Sequence, residues 1–294
     1  MDKKKILLVS LGHLSCDING GALPAILPFL RAAYDLSYQA TGGLMFAYAC
    51  LSSMIQPLFG LLSDRFSKPW FIPLGVLLAG CGLAAIGWMP GYWGIFAAIG
   101  LSGVGAALFH PEGARFANAA SGQNKGTGMS LFSIGGNGGF VLGPLLATAC
   151  LGAFGLPGTT IFAVLAVLTA GTLVWSIARM GATKKPGAAA GGKAAPATGA
   201  EGEIPGENNW PEFLKLTVSI VTRSITFVGF NTFIPLYWVS AFGQSTATGA
   251  MALTFFCVCG VISNFFGRHA GRQIWLPRRY PRGVRPNAAG GGWL

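Results

Sequence analysis

The sequence predicts an all-α integral membrane protein. Of its 294 residues, 52% are hydrophobic and only 10% are charged, whereas a soluble domain carries roughly a quarter charged residues. Apolar stretches of close to the ~20 residues that a helix needs to cross hydrocarbon recur along the chain. Backbone polar groups cannot stay unpaired in lipid, and the alternation typical of a membrane β-barrel is missing, so these stretches are expected to be helices.

Eight such stretches are separated by short loops that carry most of the charges. The 45 glycines suit this assignment, because small residues let membrane helices approach one another closely. In chain order, the predicted helices cover residues 6–30, 41–62, 70–89, 93–114, 126–151, 156–180, 213–239 and 245–267.

Lysine and arginine concentrate at alternate ends of these helices, whereas the loops at 89–93, 151–158 and 240–249 carry no charge. By the positive-inside rule, the basic ends are cytoplasmic. We therefore expect a multi-pass protein of the bacterial inner membrane with a cytoplasmic N-terminus. The net charge of +11 then reflects topology and the anionic inner leaflet, so the bilayer is an expected partner and nucleic acid is not.

A linker and a repeat divide the chain. Residues 183–209 are rich in Gly, Ala, Pro and charge, which is typical of a flexible linker. Four residues recur at an offset of 207: Pro28, Thr41, Gly42 and Gly60 as Pro235, Thr248, Gly249 and Gly267. This indicates a duplicated six-helix half. The expected organisation is a complete N-terminal six-helix bundle at 1–182, a cytoplasmic linker at 183–212, the first two helices of a C-terminal bundle at 213–267, and a basic tail at 268–294.

The loop after the second helix reads GLLSDRFSKP at 60–69. A glycine here permits close helix approach, an aspartate can cap the next helix, and an arginine can pair across the turn. The loop resembles the G-x-x-x-D-R-x-G-R-K/R motif of the major facilitator superfamily. Ser67 and Pro69 depart from that motif, and four positions match it: Gly60, Asp64, Arg65 and Lys68.

Two further stretches resemble that superfamily. The GVGAA run at 103–107 is similar to the end of its fourth-helix motif, but Ile99 and Ser102 replace the motif's arginine and glutamine. Gly139, Gly143 and Pro144 in the fifth predicted helix match a G-x-x-x-G-P motif associated with exporters. Helix packing with a proline kink explains the same residues and is compatible with that assignment.

Residues 21–30, 107–117 and 223–238 together resemble the fosmidomycin resistance branch of the superfamily. The resemblance implies two helical bundles with alternating access and export of a small anionic drug or metabolite, such as the phosphonate fosmidomycin, by proton antiport. It implies a small-molecule substrate and a proton gradient, with no other cofactor. It also implies no obligate protein partner. The chain shows no nucleophile elbow, metal-ligand spacing or nucleotide-binding loop, so we expect neither an enzyme nor a metal site.

Polar residues near the middle of the predicted helices are the candidates for the transport site. Asp17 in the first helix and Arg223 in the seventh lie at near-equivalent points of the repeat. An arginine can bind a phosphonate, and a buried aspartate can carry a proton. The alternative is a buried Asp17–Arg223 ion pair that only joins the halves. His13, Asn19 and Asn231 are expected to line the same cavity.

The stretch GAALFHPEGARFAN at 105–118 places four unusual residues in an apolar run. His110 lies about 25 Å along the fourth helix at 1.5 Å per residue, which places it near the cytoplasmic edge. In the structural interpretation, Pro111 ends or kinks the helix and Glu112 pairs with Arg115 three residues later. In the functional one, His110 and Glu112 form an inner gate or a proton exit.

The tail at 268–294 is arginine-rich and has no helical period. With suitable codons, a one-base shift near codon 267 reads A-G-M-L-A-D-R-Y-G-Y, the expected loop motif at the expected place. We therefore interpret the tail as out of frame; a genuine basic tail that docks on anionic lipid is the alternative. On this interpretation we expect the chain to be truncated and to lack four helices. The alternative to an exporter is then a membrane fragment that does not transport.

Overall fold

The computed structural model describes residues 1–66, 69–182 and 210–270, without the side chains of 63–66, 180–182, 212 and 264–270. The predicted linker at 183–209 and almost all of the tail lie outside the described residues, and so does Lys68. Within the described part of the chain, every regular element is a helix. The α-helices are α1 (Lys3–Tyr34), α2 (Tyr38–Met54), α3 (Gln56–Phe66), α4 (Phe71–Ala85), α5 (Tyr92–Ser121), α6 (Lys125–Phe154), α7 (Thr160–Ala182), α8 (Trp210–Phe242) and α9 (Thr246–Ala270).

The helices confirm the predicted all-α class and the eight membrane spans. Eight helical segments are long and apolar enough to cross a membrane. One of these spans, Tyr38–Leu62, combines α2 with α3. Short 3₁₀ helices at Ile86–Trp88 and Leu156–Thr159 extend the end of α4 and the start of α7.

Local sequence fixes where the first two helices begin and end. The Asp2 side chain accepts a hydrogen bond from the backbone N–H of Lys5 and caps α1. Asp35 adopts the left-handed conformation (φ 48°) after α1, and its N–H bonds back to the carbonyl of Arg31. The Ser37 side chain then caps α2. These caps turn the chain back within three residues.

Helix α1 is the centre of the bundle. It contacts α4, α5, α6 and α7, with its longest contact along α6. In the most apolar window of α1, 72% of the residues are buried, whereas none are buried in the corresponding window of α8. Helices α8 and α9 pack on α1 and α6, but α8 leaves large apolar side chains such as Phe213, Ile225 and Tyr237 exposed.

Glycines on α6 allow its backbone to touch α1. A Cβ atom added to Gly139 would lie 2.7 Å from the backbone N of Ile18, and one added to Gly143 would lie 2.6 Å from the N of Ala22. We call Gly135, Gly136, Gly139 and Gly143 the glycine seam, because an added Cβ at each would lie against α1: against its side chains at Gly136 and against its backbone at the other three. Pro144 is buried inside α6, and the helix continues to Phe154. This close approach is what the packing interpretation of the G-x-x-x-G-P motif, now on α6, requires.

Gly60, in the loop motif after the second span, was also predicted to permit a close approach of helices. A Cβ atom at this position has nothing within 4 Å among the described residues. The described residues therefore show no close approach of helices at Gly60. The side chains of Asp64 and Arg65 lie outside the described residues, so their predicted cap and ion pair stay predictions.

The predicted end of the fourth span is also wrong. Helix α5 continues through Pro111 to Ser121, seven residues beyond the expected end at 114. His110 is therefore about 16 Å from the end of α5, at 1.5 Å per residue, and not at a helix terminus. A proline removes only one helical hydrogen bond, and α5 is held on several sides by α1, α2 and α4.

The glycine seam predicts a specific sensitivity to size. Gly139→Ala places a methyl group against the backbone of α1, which cannot move aside as a side chain can, so we expect a loss of stability of about 1–3 kcal/mol. The measurement is thermal unfolding of the purified protein in detergent. Gly152→Ala, on the same helix with open space around it, is the matched control and should be neutral or slightly stabilising. Equal loss in both variants would contradict the close packing.

Candidate functional site

Three titratable side chains meet inside the bundle, between α1 and α5. The Nε2 atom of His110 lies 3.0 Å from Oδ1 of Asp17, and Nε2 of His13 lies 3.1 Å from Oδ2 of the same carboxylate. Asp17 and His13 are buried, and the His110 side chain is 28% exposed. We call these three residues the His–Asp cluster. Of the predicted site residues, the structure brings together these three.

Helix geometry explains how His13 reaches its place. His13 and Asp17 are one turn apart on α1, so they share a face. The Nδ1 atom of His13 donates a hydrogen bond to the Phe132 carbonyl on α6 (2.8 Å), and its ring stacks on the Phe132 ring at 4.0 Å between centroids. A Cβ atom at Gly136 would lie 2.6 Å from this ring and 2.7 Å from Oδ2 of Asp17. Glycine at 136 therefore leaves the room that the cluster occupies.

His110 is oriented by its own helix. Its Nδ1 atom donates to the carbonyl of Ala106, one turn earlier on α5, at 2.7 Å. This bond points Nε2 across to Asp17 on α1. Since Asp17 lies fourteen residues after the start of α1 and seventeen before its end, the cluster is near the middle of that span. His110 is therefore deeper than the predicted cytoplasmic edge.

The hydrogen bonds decide where the ring protons lie. A carbonyl oxygen can only accept, so the Nδ1 atoms of His13 and His110 both carry a hydrogen. The bond between His110 and Asp17 then needs a further proton, either on Nε2 or on the carboxyl group. Without a second proton or another cation, the lone pair of His13 Nε2 faces a carboxylate lone pair at 3.1 Å. The geometry thus requires at least one bound proton or cation beyond the two on Nδ1.

Glu112 and Arg115 form a separate pair. Glu112 is buried, and its Oε1 accepts from Arg115 at 2.8 Å, with the Arg115 side chain 41% exposed. This confirms the predicted i, i+3 pair. Glu112 lies two residues after His110 on the same helix, and residues two apart point in different directions. The structure therefore does not bring Glu112 into the His–Asp cluster.

The predicted Asp17–Arg223 pair is not formed. The ion-pair partners of Asp17 among the described residues are the two histidines, and Arg223 is exposed on α8. Arg223 instead lines a groove of about 640 Å³ beside α9. The rest of its lining combines hydroxyl and aromatic groups: Ser219, Thr222, Thr226, Phe227, Phe230 and Phe256.

Asn231 and Asn19 are both buried and lie away from the cluster. The Asn231 amide donates to the Phe227 carbonyl, and its oxygen lies 3.7 Å from the Cys257 sulfur of α9. Asn231 therefore ties α8 to α9. The Asn19 amide donates to the carbonyls of Ser15 and Cys16 within α1, so neither asparagine contacts Asp17.

A short chain of contacts joins the groove to the cluster. The ring of Phe227, which lines the groove, lies 6.3 Å from that of Phe140 on α6. The backbone of Phe140 in turn lies against Gly21, where an added Cβ would come within 2.7 Å of it. Gly21 is one helical turn after Asp17. Helix α6 therefore touches both places, and α1 also contacts α8 directly.

Sequence reasoning missed Gly136 and Tyr48. Gly136 belongs to the run GGNGG at 135–139, and such a run is a signal for close helix approach. Tyr48 of α2 lies against Gly20 of α1, with its hydroxyl 2.7 Å from the position of an added Cβ. No local pattern marks Tyr48, because its position depends on how α2 packs on α1.

Comparison with known proteins gives consistent matches. The model of the Major Facilitator Superfamily matches residues 9–292. The fosmidomycin resistance protein of Escherichia coli (strain K12) is 34% identical over 58% of this chain and 42% of its own length. The uncharacterised MFS-type transporter YfnC of Bacillus subtilis (strain 168) is 30% identical over 55% of this chain and 41% of its own length.

A solved structure shares the fold. The crystal structure of tetrameric PepTSo2 in the I4 space group superimposes with a TM-score of 0.50 and 15% identity, covering 96% of this chain and 56% of that one. The matches to the two curated relatives therefore cover about two fifths of each relative, and the match to PepTSo2 covers just over half of that structure.

The two possible partners of Asp17 predict different thermodynamic coupling. In a double-mutant cycle, Asp17→Asn and His110→Gln should be non-additive by about 0.5–3 kcal/mol, because the side chains are in contact. Asp17→Asn and Arg223→Gln should add to within about 0.5 kcal/mol. The measurement is the unfolding free energy in detergent. Strong coupling to Arg223 with none to His110 would contradict the arrangement described above.

Proposed function

The chain belongs to the Major Facilitator Superfamily, a family of membrane transporters, and from this premise we propose that the protein is a proton-coupled exporter of small anionic compounds. The multi-pass, all-helical structure agrees with the premise. We infer a carrier and not an enzyme, with a proton gradient and no other cofactor. Its partners are a small-molecule substrate and the lipid bilayer. We infer neither nucleic-acid binding nor an obligate protein partner.

The proposed architecture follows the predicted division into a six-helix bundle, a linker and the first helices of a second bundle. Alternating access would then move the bundles around a central site. The distribution of basic residues supports a cytoplasmic N-terminus in a bacterial inner membrane. In this arrangement α6, which contacts both α1 and α9, lies where the moving parts meet.

The His–Asp cluster is the observation that carries proton coupling. A buried charge at membrane depth is costly unless it is paired, and such groups in transporters mark ion pathways. The cluster already needs a proton between His110 and Asp17. Gain or loss of that proton changes the net charge between α1, α5 and α6. A conformation that wets the cluster would favour one protonation state, and a closed conformation the other.

The Arg223 groove supports an anionic substrate. A guanidinium group offers a planar fork of donors that matches phosphonate or carboxylate oxygens, and three hydroxyl groups lie beside it. The relative named fosmidomycin resistance protein suggests the class. Since fosmidomycin is a phosphonate, we propose phosphonates and similar small anions as substrates.

A second candidate function is a membrane bundle that does not transport. The exposure of α8 favours it, because none of the most apolar window of α8 is buried among the described residues. A groove with one exposed wall binds a small anion poorly. The two candidate functions differ in whether the unaltered chain protects a cell against the drug.

The first experiment tests export and its proton coupling. The chain is expressed in fosmidomycin-hypersensitive bacteria. Survival in the presence of the drug is compared for the unaltered chain, Asp17→Asn and Asp35→Asn. We expect protection by the printed sequence and by Asp35→Asn, since Asp35 is exposed at the end of α1. Asp17→Asn should fall to the level of the empty vector, because it removes the carboxylate that carries the charge.

Two outcomes of that experiment count against the proposal. If the printed chain is present in the membrane at normal amounts and gives no protection, the non-transporting candidate is favoured. If protection persists with Asp17→Asn, or persists after an ionophore collapses the pH gradient, the proton coupling is wrong.

The second experiment tests substrate charge. Arg223→Gln should raise the KM for fosmidomycin about 10-fold or more, because a hydrogen-bonded charge pair contributes roughly 1.5–3 kcal/mol. Arg223→Lys keeps the charge but loses the fork and should be intermediate. Arg179→Gln on α7, where the guanidinium stacks on Trp175 at 3.9 Å, is the matched control. An unchanged KM in Arg223→Gln would remove the groove from the substrate site.

A further inference from the structure

We propose that the His–Asp cluster also binds a divalent transition-metal ion, with Zn²⁺ as the best fit, in place of the proton. The inference rests on the same site as the proposed function and deepens it, because it names a competitor for the coupling proton. Nothing in the chain's local sequence predicts this site. Its ligands come from α1 and from α5, 93 positions apart.

The donor set is the first argument. Two imidazole nitrogens and one carboxylate are ligands that Zn²⁺ takes in catalytic and regulatory sites. The candidate ligand atoms of His13, Asp17 and His110 all lie within 4.8 Å of one another. Ligand atoms bound tetrahedrally at about 2.0–2.1 Å from Zn²⁺ lie about 3.3 Å apart. The two N–O distances of 3.0 and 3.1 Å, one to each oxygen of Asp17, are within a few tenths of an ångström of that value, and the remaining separations are at most 4.8 Å.

The second argument is the state of the histidine rings. In metal sites, the ligating histidine donates its other ring N–H to a carboxylate or a backbone carbonyl, which fixes the tautomer. Both histidines here do so, to the carbonyls of Phe132 and Ala106. Once the proton shared with Asp17 has left, each neutral ring directs its Nε2 lone pair to the space beside the carboxylate, where the ion binds. The stack of His13 on Phe132 further limits ring rotation.

Access and an open coordination position complete the site. Three protein ligands leave at least one position for water, as in catalytic zinc sites. The Asp17 side chain is only 8% exposed, whereas that of His110 is 28% exposed. His110 is therefore the side from which an ion enters. On the α6 side, the missing Cβ of Gly136 leaves the room that the cluster occupies.

Metal and proton compete for the same atoms. Binding of Zn²⁺ requires both Nε2 lone pairs and an ionised carboxylate, so the proton shared by His110 and Asp17 must leave. The balance is one Zn²⁺ bound for at least one H⁺ released.

The test is isothermal titration calorimetry, in which ZnCl₂ is added to the unaltered full-length chain in detergent micelles. The protein is purified without a polyhistidine tag. Titrations in two buffers of different ionisation enthalpy count the protons released. We expect one Zn²⁺ per chain, release of about one proton, and a higher affinity at pH 8 than at pH 6. Asp17→Asn and His110→Gln should each weaken binding at least roughly 100-fold.

Two matched substitutions serve as controls. Asp35→Asn changes an exposed carboxylate directly after α1, and His269→Gln changes the third histidine of the chain. Both should bind Zn²⁺ as the unaltered chain does. Circular dichroism and gel filtration verify that each variant folds. Titration of the unaltered chain with Co²⁺ gives a reading that needs no variant, because ligation by imidazole and carboxylate produces visible absorption bands.

The outcomes separate this proposal from the proposed function. Absence of a 1:1 site, or equal affinity in Asp17→Asn, His110→Gln and the controls, overturns the metal site and leaves the transport experiment untouched. Zinc binding that is lost in the two cluster variants supports the metal site even if the chain gives no drug protection. Zinc binding without proton release contradicts the competition.

Discussion

The burial of one carboxylate at the middle of a membrane helix constrains the rest of the structure. Asp17 lies where α1 is enclosed on several sides, and an unpaired charge there costs several kcal/mol or more. Two histidines, one from the same helix and one from α5, compensate it. Each histidine is in turn held by a backbone carbonyl. The cluster therefore specifies how α1, α5 and α6 sit against one another.

The glycine seam is the steric counterpart of this electrostatic constraint. His13 reaches the Phe132 carbonyl on α6 only because the two helices touch along their backbones. Side chains at Gly136 or Gly139 would separate the helices and lengthen that bond. In lipid, where apolar association between helices is weak, close packing of this kind supplies much of the attraction. Packing and polar pairing thus support the same helix arrangement.

Hydropathy was sufficient to predict the eight spans, because helix length and apolar composition are set by the bilayer. The candidates Asp17, His13 and His110 were also identified from the sequence, since charged and polar groups in apolar runs are conspicuous. The meeting of His110 with Asp17 was not predicted, because the predicted end of the fourth helix at 114 placed His110 near the membrane edge. The packed surroundings of α5 carry that helix through Pro111. Repeat symmetry similarly suggested an Asp17–Arg223 pair, but equivalent positions in two repeats need not touch.

The positions of the two charged sites have a consequence for mechanism. The His–Asp cluster lies between α1 and α5, whereas Arg223 is on α8 and is not an ion-pair partner of Asp17. Helix α1, which carries Asp17, contacts α8 directly, and α6 makes a second connection through Phe140, between Gly21 and Phe227. The contact at Gly21 is backbone against backbone, so no flexible side chain separates α1 from α6 there. Proton or metal binding that moves α1 by a fraction of an ångström would thus reach the groove as a displacement of Phe227, a change that is mechanical and not electrostatic.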